Sequence, residues 1–561
     1  MKKRTAGGLP SMDAVIALAT LSFIILSTFF AVRALQPPRA VPASASPILF
    51  SSGRAMKQLE VIARQPHPSG SPAHTEIRDF ISHQLEALGL SVDTQSAPGV
   101  KNILARLDGT NNTRAVMLVA HYDTVAESPG ASDDGSAVVA LLETLRALKA
   151  GAPLRNDVIV LFTDGEEAGL LGAKAFVYQH PWMKDVGLLL NFEARGTRGP
   201  ALMFETSYQN GWLIGQFAQA APYPVANSLS YDLYKFLPND TDFTVFKDEG
   251  IAGLNFAFID GYAYYHTPLD NLANLDERSL QHQGSYALAL TRHFGNLNLA
   301  QPGDDHDAVY FDILGSALVH YSVAWVLPLA LAVALIFIAV MLYGFRARRL
   351  TWPGVAYGFL ALLLSMIGAT GIVTLLSSII YAWRGGEQSG ARGAVFNSDL
   401  YMVSFASLSV VVVATIYQRF RKTVSSSDLT AGAWLWWLLL MALTSLFLQG
   451  GSYLFTWSLA FGLIALGFTF TSTGQASNPR ARALVHCVCA LPGIMLSAPV
   501  IYLMFVAFSL RSSGALMLPV VLLLGLLVPL LDLVATPWRW LLPASAALIS
   551  LGFIIAGSLT A

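Results

Sequence analysis

The pattern of hydrophobic and polar positions divides the chain into two textures. Residues 46–310 mix apolar with charged and polar positions as an ordinary soluble protein does, whereas 13–35 and most of 322–559 are almost continuously apolar. The first apolar run, from Asp13 to Leu35, follows Lys2, Lys3 and Arg4; at about 22 residues it is long enough to cross a bilayer core of about 30 Å. Ala43-Ser44-Ala45 would serve as a signal cleavage site, but the run is long for a signal peptide, so an uncleaved anchor is expected. A Pro/Ala/Ser linker, Gln36 to Pro47, leads into the polar stretch. Eight further spans are expected near 322–344, 353–382, 400–418, 431–449, 452–471, 483–508, 513–535 and 541–559.

Within the polar stretch, Val116–Ala120, Val158–Phe162, Leu188–Phe192 and Leu254–Ile259 are short apolar runs, as expected of strands buried on both faces. Ser136–Lys149 carries Val138, Leu141, Leu142, Leu145 and Leu148 at helical spacing, and Thr75–Leu88 is a second amphipathic helix stopped by Gly89. This alternation predicts an α/β three-layer domain with a mixed, mainly parallel sheet, joined to a polytopic all-α membrane domain. The expected boundaries are 1–45 for anchor and linker, 46–300 for the α/β domain and 301–561 for the membrane domain.

Composition agrees. Hydrophobic residues make up 54% and charged residues 13% of the 561, against about 25% charged in soluble chains. The net charge of −1 and the lack of a basic cluster interleaved with aromatics give no reason to expect nucleic acid. Cys487 and Cys489 both lie in an apolar stretch, so the soluble part has no disulfide and any metal there is held by His, Asp and Glu. Basic residues near span ends set orientation. Lys2, Lys3 and Arg4, then Arg346, Arg348 and Arg349, then Arg419, Arg421 and Lys422, then Arg480 and Arg482 all fall on the cytoplasmic side of one nine-span path. The weaker Arg384, Arg392 and Arg511 fall opposite, which places the α/β domain outside the cytoplasm. Trp352, Trp383, Trp434, Trp538 and Trp540 sit near span ends, as interfacial aromatics do.

Reactive side chains follow the expected strands. The first leads into His121-Tyr122-Asp123 and then Ser128-Pro129-Gly130-Ala131-Ser132-Asp133-Asp134-Gly135-Ser136. The second leads into Glu166-Glu167, the third ends in Asn191-Phe192-Glu193-Ala194, and the fourth is followed by Tyr265-His266-Thr267-Pro268-Leu269-Asp270. Ligands of open α/β sheets bind beyond the carboxyl ends of the strands, so these segments converge on one edge. Imidazoles and carboxylates without thiolate suit zinc or a similar divalent ion, and so many carboxylates repel unless a cation neutralises them.

In these motifs, which lie in order between about residues 100 and 275, the chain resembles the co-catalytic zinc exopeptidases of metallopeptidase family 28. It is most similar to the branch that joins a luminal peptidase domain in the endoplasmic reticulum or vacuole to about nine membrane helices. The resemblance implies two zincs per chain bridged by Asp133, with His121 and Glu193 completing one site and Glu167 and His266 the other. It implies Glu166 as general base, Asp123 as the carboxylate orienting His121, and Tyr265 as the group polarising the scissile carbonyl. Glu at position 193 is that branch's choice and does not by itself define the substrate class.

Other residues have plainer readings. Asp134 is expected to cap the following helix, and Asp270 either caps the segment after it or serves the site. His67, His74, His83, His180, His282 and His293 match no motif position. Asn111-Asn112-Thr113 and Asn239-Asp240-Thr241 are sequons with meaning only in a eukaryotic secretory compartment. His486 and Asp532, inside apolar spans, are expected to make helix–helix contacts. The function expected is a membrane-bound zinc aminopeptidase acting on peptides; the rivals are an inactive binding domain, a transporter with an accessory domain, and a glutaminyl cyclase. Nothing in the sequence bears on oligomeric state.

Overall fold

The computed structural model describes residues 11–300, 306–383, 398–508, 510–537 and 539–559. Lys2, Lys3, Arg4, Arg384, Arg392 and Trp538, used above for orientation and interfaces, lie outside the described residues, as does the side chain of Arg511. Two compact units divide the chain, one of residues 35–323 and one of 1–34 with 324–561. Composition placed the boundaries near 45 and 300. Residues 36–45 go with the α/β unit because their carbonyls are held there: Arg278 donates to Pro37 and Pro38, and Arg54 to Ala43 and Ala45.

The α/β unit opens with helices α2 (Ser52–Ile62) and α3 (Pro72–Ala87), after the apolar helix α1 (Met12–Arg33) of the other unit. Its strands are β1 (Val92–Ala97), β2 (Val100–Leu107), β3 (Ala115–His121), β4 (Val158–Thr163), β5 (Val186–Ala194), β6 (Leu202–Thr206) and β7 (Gly253–Phe258). Interleaved with them are α4 (Gly135–Lys149), α5 (Leu171–Gln179), α6 (Gly211–Ala220), α7 (Ser228–Tyr234), α8 (Asp242–Asp248) and α9 (Glu277–Phe294), and a hairpin of β8 (Ala308–Ile313) and β9 (Ala317–Ser322) closes the unit. The seven-stranded sheet runs β1-β2-β4-β3-β5-β7-β6. Its centre, β4-β3-β5-β7, is parallel, and the pairings β1-β2, β2-β4 and β6-β7 are antiparallel. The four apolar runs of the sequence are these four central strands. From β3 the chain steps to β4 on one side and to β5 on the other, so the order reverses at the carboxyl ends of β3 and β5. That reversal opens the crevice where α/β sheets bind ligands.

The other unit is helical. Besides α1 it holds α10 (Val326–Arg346), α11 (Trp352–Trp383), α12 (Ser398–Phe420), α13 (Ser426–Phe447), α14 (Ser452–Phe470), the short α15 (Ser472–Ala476), α16 (Pro479–Ala507), α17 (Ser513–Leu526), α18 (Val528–Ala535) and α19 (Leu541–Leu559). Among the described residues eight helices are long and apolar enough to cross a membrane, or nine if α17 and α18 count as one span. The single span expected over 513–535 is bent by 71° at this point; Pro529, in the first turn of α18, lacks the N–H that would continue the ladder. Trp352, Trp383 and Trp540 are exposed at helix ends, but Trp434 is buried and donates its indole N–H to the Leu526 carbonyl, so it is a packing residue. The intramembrane polar residues make helix contacts as expected: Thr469 Oγ1 lies 3.0 Å from His486 Nε2, and Arg421 binds Asp532 at 2.7 and 3.1 Å.

Candidate metal centre

His121 is the last residue of β3, Glu193 is next to last in β5, and Glu166 and Glu167 lie just beyond β4. Asp133 precedes α4, whose first residue is Gly135; a Cβ there would stand 2.5 Å from the Gly130 carbonyl oxygen, so only glycine lets the loop close. His266 follows a turn opened by Gly261 (φ +79°) and itself adopts φ +57°. The left-handed region is uncommon for a non-glycine residue and is held only by its surroundings.

Asp133 Oδ1 lies 3.0 Å from His121 Nε2, and its Oδ2 lies 3.0 Å from His266 Nε2. Glu193 Oε2 stands 3.7 Å from His121 Nε2, and Glu167 Oε1 stands 2.9 Å from His266 Nε2. One donor atom from each of His121, Asp133 and Glu193 lies within 4.8 Å of the others, and the same holds for Asp133, Glu167 and His266. Asp133 thus turns one oxygen toward each group of three. Buried Glu167 Oε1 has no hydrogen-bond partner despite its approach to the imidazole. Two donor atoms that meet without hydrogen-bond directionality are arranged as ligands converging on a common point. The donor set fits a pair of divalent cations held by His and carboxylate.

The electrostatics point the same way. Asp123, Asp133, Asp134, Glu166, Glu167, Glu193 and Asp242 crowd this edge, and among the described residues none is ion-paired with lysine or arginine. Burial, with neighbouring carboxylates, pushes Glu193 up to about 8 and Glu166 well above its ordinary range. Burial works to lower both imidazoles, yet hydrogen bonds to carboxylates win, lifting His266 to about 9 and His121 well above its usual value. The site is short of positive charge, and the imidazoles hold protons where a cation would serve.

Glu166 belongs to neither group of three, and its carboxyl makes no hydrogen bond among the described residues. Asp123 accepts the Glu166 N–H at 3.1 Å and the Glu167 N–H at 3.3 Å. His121 Nδ1 meets the Asp123 carbonyl oxygen at 3.0 Å, with the carboxylate at 3.6 Å. Asp123 thus faces His121 with both its carbonyl oxygen and its carboxylate, and the carboxylate also fixes the Glu166-Glu167 turn. Tyr265 stacks on the His266 ring at 3.8 Å. Burial and the charges of Asp133, Glu167, Glu166 and Glu193 raise its phenol, which stays protonated facing the acidic cluster.

Two supporting residues act otherwise than as the helix caps considered from the sequence, and others escaped that reading. Asp134 occupies the cap position of α4 but makes no capping bond; its carboxylate instead accepts the His121 N–H at 3.2 Å. Asp270 caps nothing. It accepts the Ser132 N–H at 2.8 Å and the Asp133 N–H at 3.2 Å, pinning the loop that presents Asp133. Asn191 Nδ2 donates to Glu193 Oε1 and to Asn255 Oδ1, and Gln283 donates to the Glu193 carbonyl. Buried Asp242 accepts the Thr163 hydroxyl, and burial pushes it up to about 6. The signal for Asn191 and Asn255 was present: an amide inside a buried apolar strand needs a partner.

Residues 102–291 match peptidase family M28. The chain is 33% identical over 348 residues to a vacuolar membrane protease of Candida dubliniensis, covering 57% of this chain and 36% of that protein. It is 30% identical over 274 residues to endoplasmic reticulum metallopeptidase 1 of Mus musculus, covering 47% of this chain and 30% of that one. Among solved structures, a zinc aminopeptidase from Bacillus subtilis aligns at 16% identity with a TM-score of 0.38, over 46% of this chain and 98% of that one. The chain matches about a third of the length of these curated relatives.

Proposed function

Since residues 102–291 belong to peptidase family M28, we propose that the chain is a membrane-bound zinc aminopeptidase, its α/β unit outside the cytoplasm. The observation that carries this reading is the pair of donor groups sharing Asp133, with an unengaged Glu166 beside them. His121, Asp133 and Glu193 would hold one zinc, and Asp133, Glu167 and His266 the other. Bound there, the two ions supply the positive charge that acidifies water and stabilises a developing oxyanion.

The side chains divide the remaining work. Glu166, its carboxyl free and its proton affinity raised by burial, takes a proton from the attacking water and returns it to the leaving amine. The Tyr265 phenol donates toward the oxyanion. Asp123 and Asp270 keep the turns carrying Glu166, Glu167 and Asp133 in register. Two divalent ions neutralise only part of the carboxylate cluster, and the excess suits a protonated α-amine, which favours a free peptide N-terminus over a blocked one. All five ligand positions and the base carry competent side chains, which favours hydrolysis over a binding-only role or glutaminyl cyclisation. The test is a panel of free and N-acetylated peptides, together with an N-terminal glutamine substrate assayed for pyroglutamate. Cleavage confined to free N-termini supports the reading; equal cleavage of blocked peptides, or pyroglutamate as the product, overturns it.

A further inference from the structure

A line of buried polar side chains crosses three strands of the sheet and ends on a residue of the metal centre. Asn191 lies in β5, two residues before Glu193 and so on the same face of the strand. Asn255 of β7 pairs with Asn191 in register, and Glu205 of β6 pairs with Asn255. All three are buried. Beyond them Lys247 of α8 binds Glu205 Oε1. An ion pair and two amides inside an otherwise apolar layer are no gain in stability over hydrocarbon of the same volume.

The line has a direction. A carboxylate only accepts hydrogen bonds, so Glu205 obliges Asn255 to turn its NH₂ toward it. Asn255 Nδ2 donates to Glu205 Oε2 at 3.0 Å and to Thr241 Oγ1 at 2.9 Å. Its Oδ1 is thereby turned to Asn191. Asn191 then stands between two acceptors, Asn255 Oδ1 at 3.0 Å and Glu193 Oε1 at 3.2 Å, and gives its Nδ2 to both. The Asn191 Oδ1 is left buried with no partner among the described residues. That cost follows from the orientation, because a flipped amide would set Oδ1 against both acceptors. With Oε1 of Glu193 taken, Oε2 is the oxygen that faces His121, 3.7 Å from Nε2.

We propose that Glu205 is a positioning residue for the zinc held by His121, Asp133 and Glu193. Acting through Asn255 and Asn191, it fixes which oxygen of Glu193 is offered to the metal. The proposal rests on the two-metal reading above. Lys247 balances the charge of Glu205 and takes no part in aiming the amides.

The variants follow from the directions of the bonds. In Glu205→Gln the Lys247 ammonium, which only donates, claims the single amide oxygen, and an NH₂ faces Asn255. Both asparagines must then flip or lose their bonds, and Asn191 turns an oxygen toward Glu193. Adding Lys247→Met frees the glutamine oxygen to face Asn255 and restores the line. Lys247→Met alone leaves Glu205 an acceptor for Asn255, so it should lower the melting temperature but keep the zinc.

The test uses the full chain in detergent, with zinc titrated against a competing chelator and zinc-free melting curves run alongside. Glu205→Gln should weaken one of two zincs about 10- to 100-fold, the usual cost of losing an outer partner of a ligand. In a Glu167→Gln background it should loosen the zinc that remains, and in a Glu193→Gln background it should not. The double variant Glu205→Gln with Lys247→Met should return to near-wild-type zinc affinity, and Lys247→Met alone should never leave it. A merely structural ion pair predicts otherwise: both single variants lose zinc in proportion to their loss of melting temperature. That result, wild-type zinc affinity in Glu205→Gln, or no recovery in a folded double variant, would overturn the positioning role alone. Fewer than two zincs in the wild type would overturn the two-metal reading and the proposal with it.

Discussion

Replacing Asp270 with Asn tests whether the Asp133 loop is held by the contacts described above. Asp270 is 1% exposed; Oδ1 accepts the Ser132 N–H at 2.8 Å, and Oδ2 accepts the Asp133 N–H at 3.2 Å and the Ser128 hydroxyl at 3.4 Å. An amide must present an NH₂ to one of those backbone donors, so one bond is lost and two donors face each other. Hydrogen bonds to a charged group are worth about 1.5–3 kcal/mol, so Asp270→Asn should cost the α/β unit about 2–3 kcal/mol. At about 2–4 °C per kcal/mol for a unit of this size, melting should fall by roughly 4–12 °C. Zinc affinity should drop about 10- to 100-fold, the usual cost of losing an outer partner of a ligand. Chelator competition and melting curves would be run in parallel with Asp276→Ala. That variant removes the side-chain cap of α9, a bond to the Arg278 N–H, and should cost about 1 kcal/mol with zinc affinity unchanged. Wild-type zinc affinity in Asp270→Asn, or equal zinc loss in the control, would refute the positioning role.

Three other expectations follow from the site and its frame. Asp133→Ala should lose both metals by elemental analysis, whereas His266→Ala should lose mainly one; retention of one full equivalent by Asp133→Ala would contradict the bridge. For sidedness, single cysteines at exposed Thr110 and Thr423, in a chain lacking Cys487 and Cys489, should be labelled from opposite faces of sealed vesicles, and labelling of both by one impermeant reagent contradicts the expected path. Buried His282 accepts the Ala201 N–H at Nδ1 and meets the Tyr223 carbonyl at Nε2, and burial lowers it to about 4. The unfolded chain takes up this proton below pH 6.5 and the folded one only near 4, so the stability is intact above 6.5 and declines between 6.5 and 4, by about 3 kcal/mol at most. His282→Gln should flatten that part of the melting-temperature profile; parallel profiles would exclude His282 as the cause.

What was legible in the sequence was whatever is encoded locally. Strands β3, β4, β5 and β7 are buried on both faces and read as unbroken apolar runs. Strand β1, Val-Asp-Thr-Gln-Ser-Ala, is half-exposed at the sheet edge and carries no such run, and β6 is a short edge strand containing Glu205. Hydropathy placed α13 and α16 late because both begin with polar turns capped by Ser425 and Asn478. The ligand-type residues were visible because His121, Glu167 and Glu193 end or closely follow apolar strands, and Asp133 and His266 lie in the loops that leave β3 and β7. For Asp270 the sequence left a cap and a site role open, since it acts on an N–H 137 residues away. Asp242 and Gln283 likewise meet their partners only through the fold.

The most direct test compares Glu166→Gln with Glu167→Gln for peptide hydrolysis and bound zinc. Glutamine is nearly isosteric with glutamate but cannot accept the water proton, and general-base catalysis is typically worth about 10²–10⁴-fold. Glu166→Gln should therefore lose at least about a hundredfold in turnover while keeping its zinc, and Glu167→Gln should lose zinc from one site. Near-wild-type turnover in Glu166→Gln, or zinc loss from it rather than from Glu167→Gln, would contradict the account.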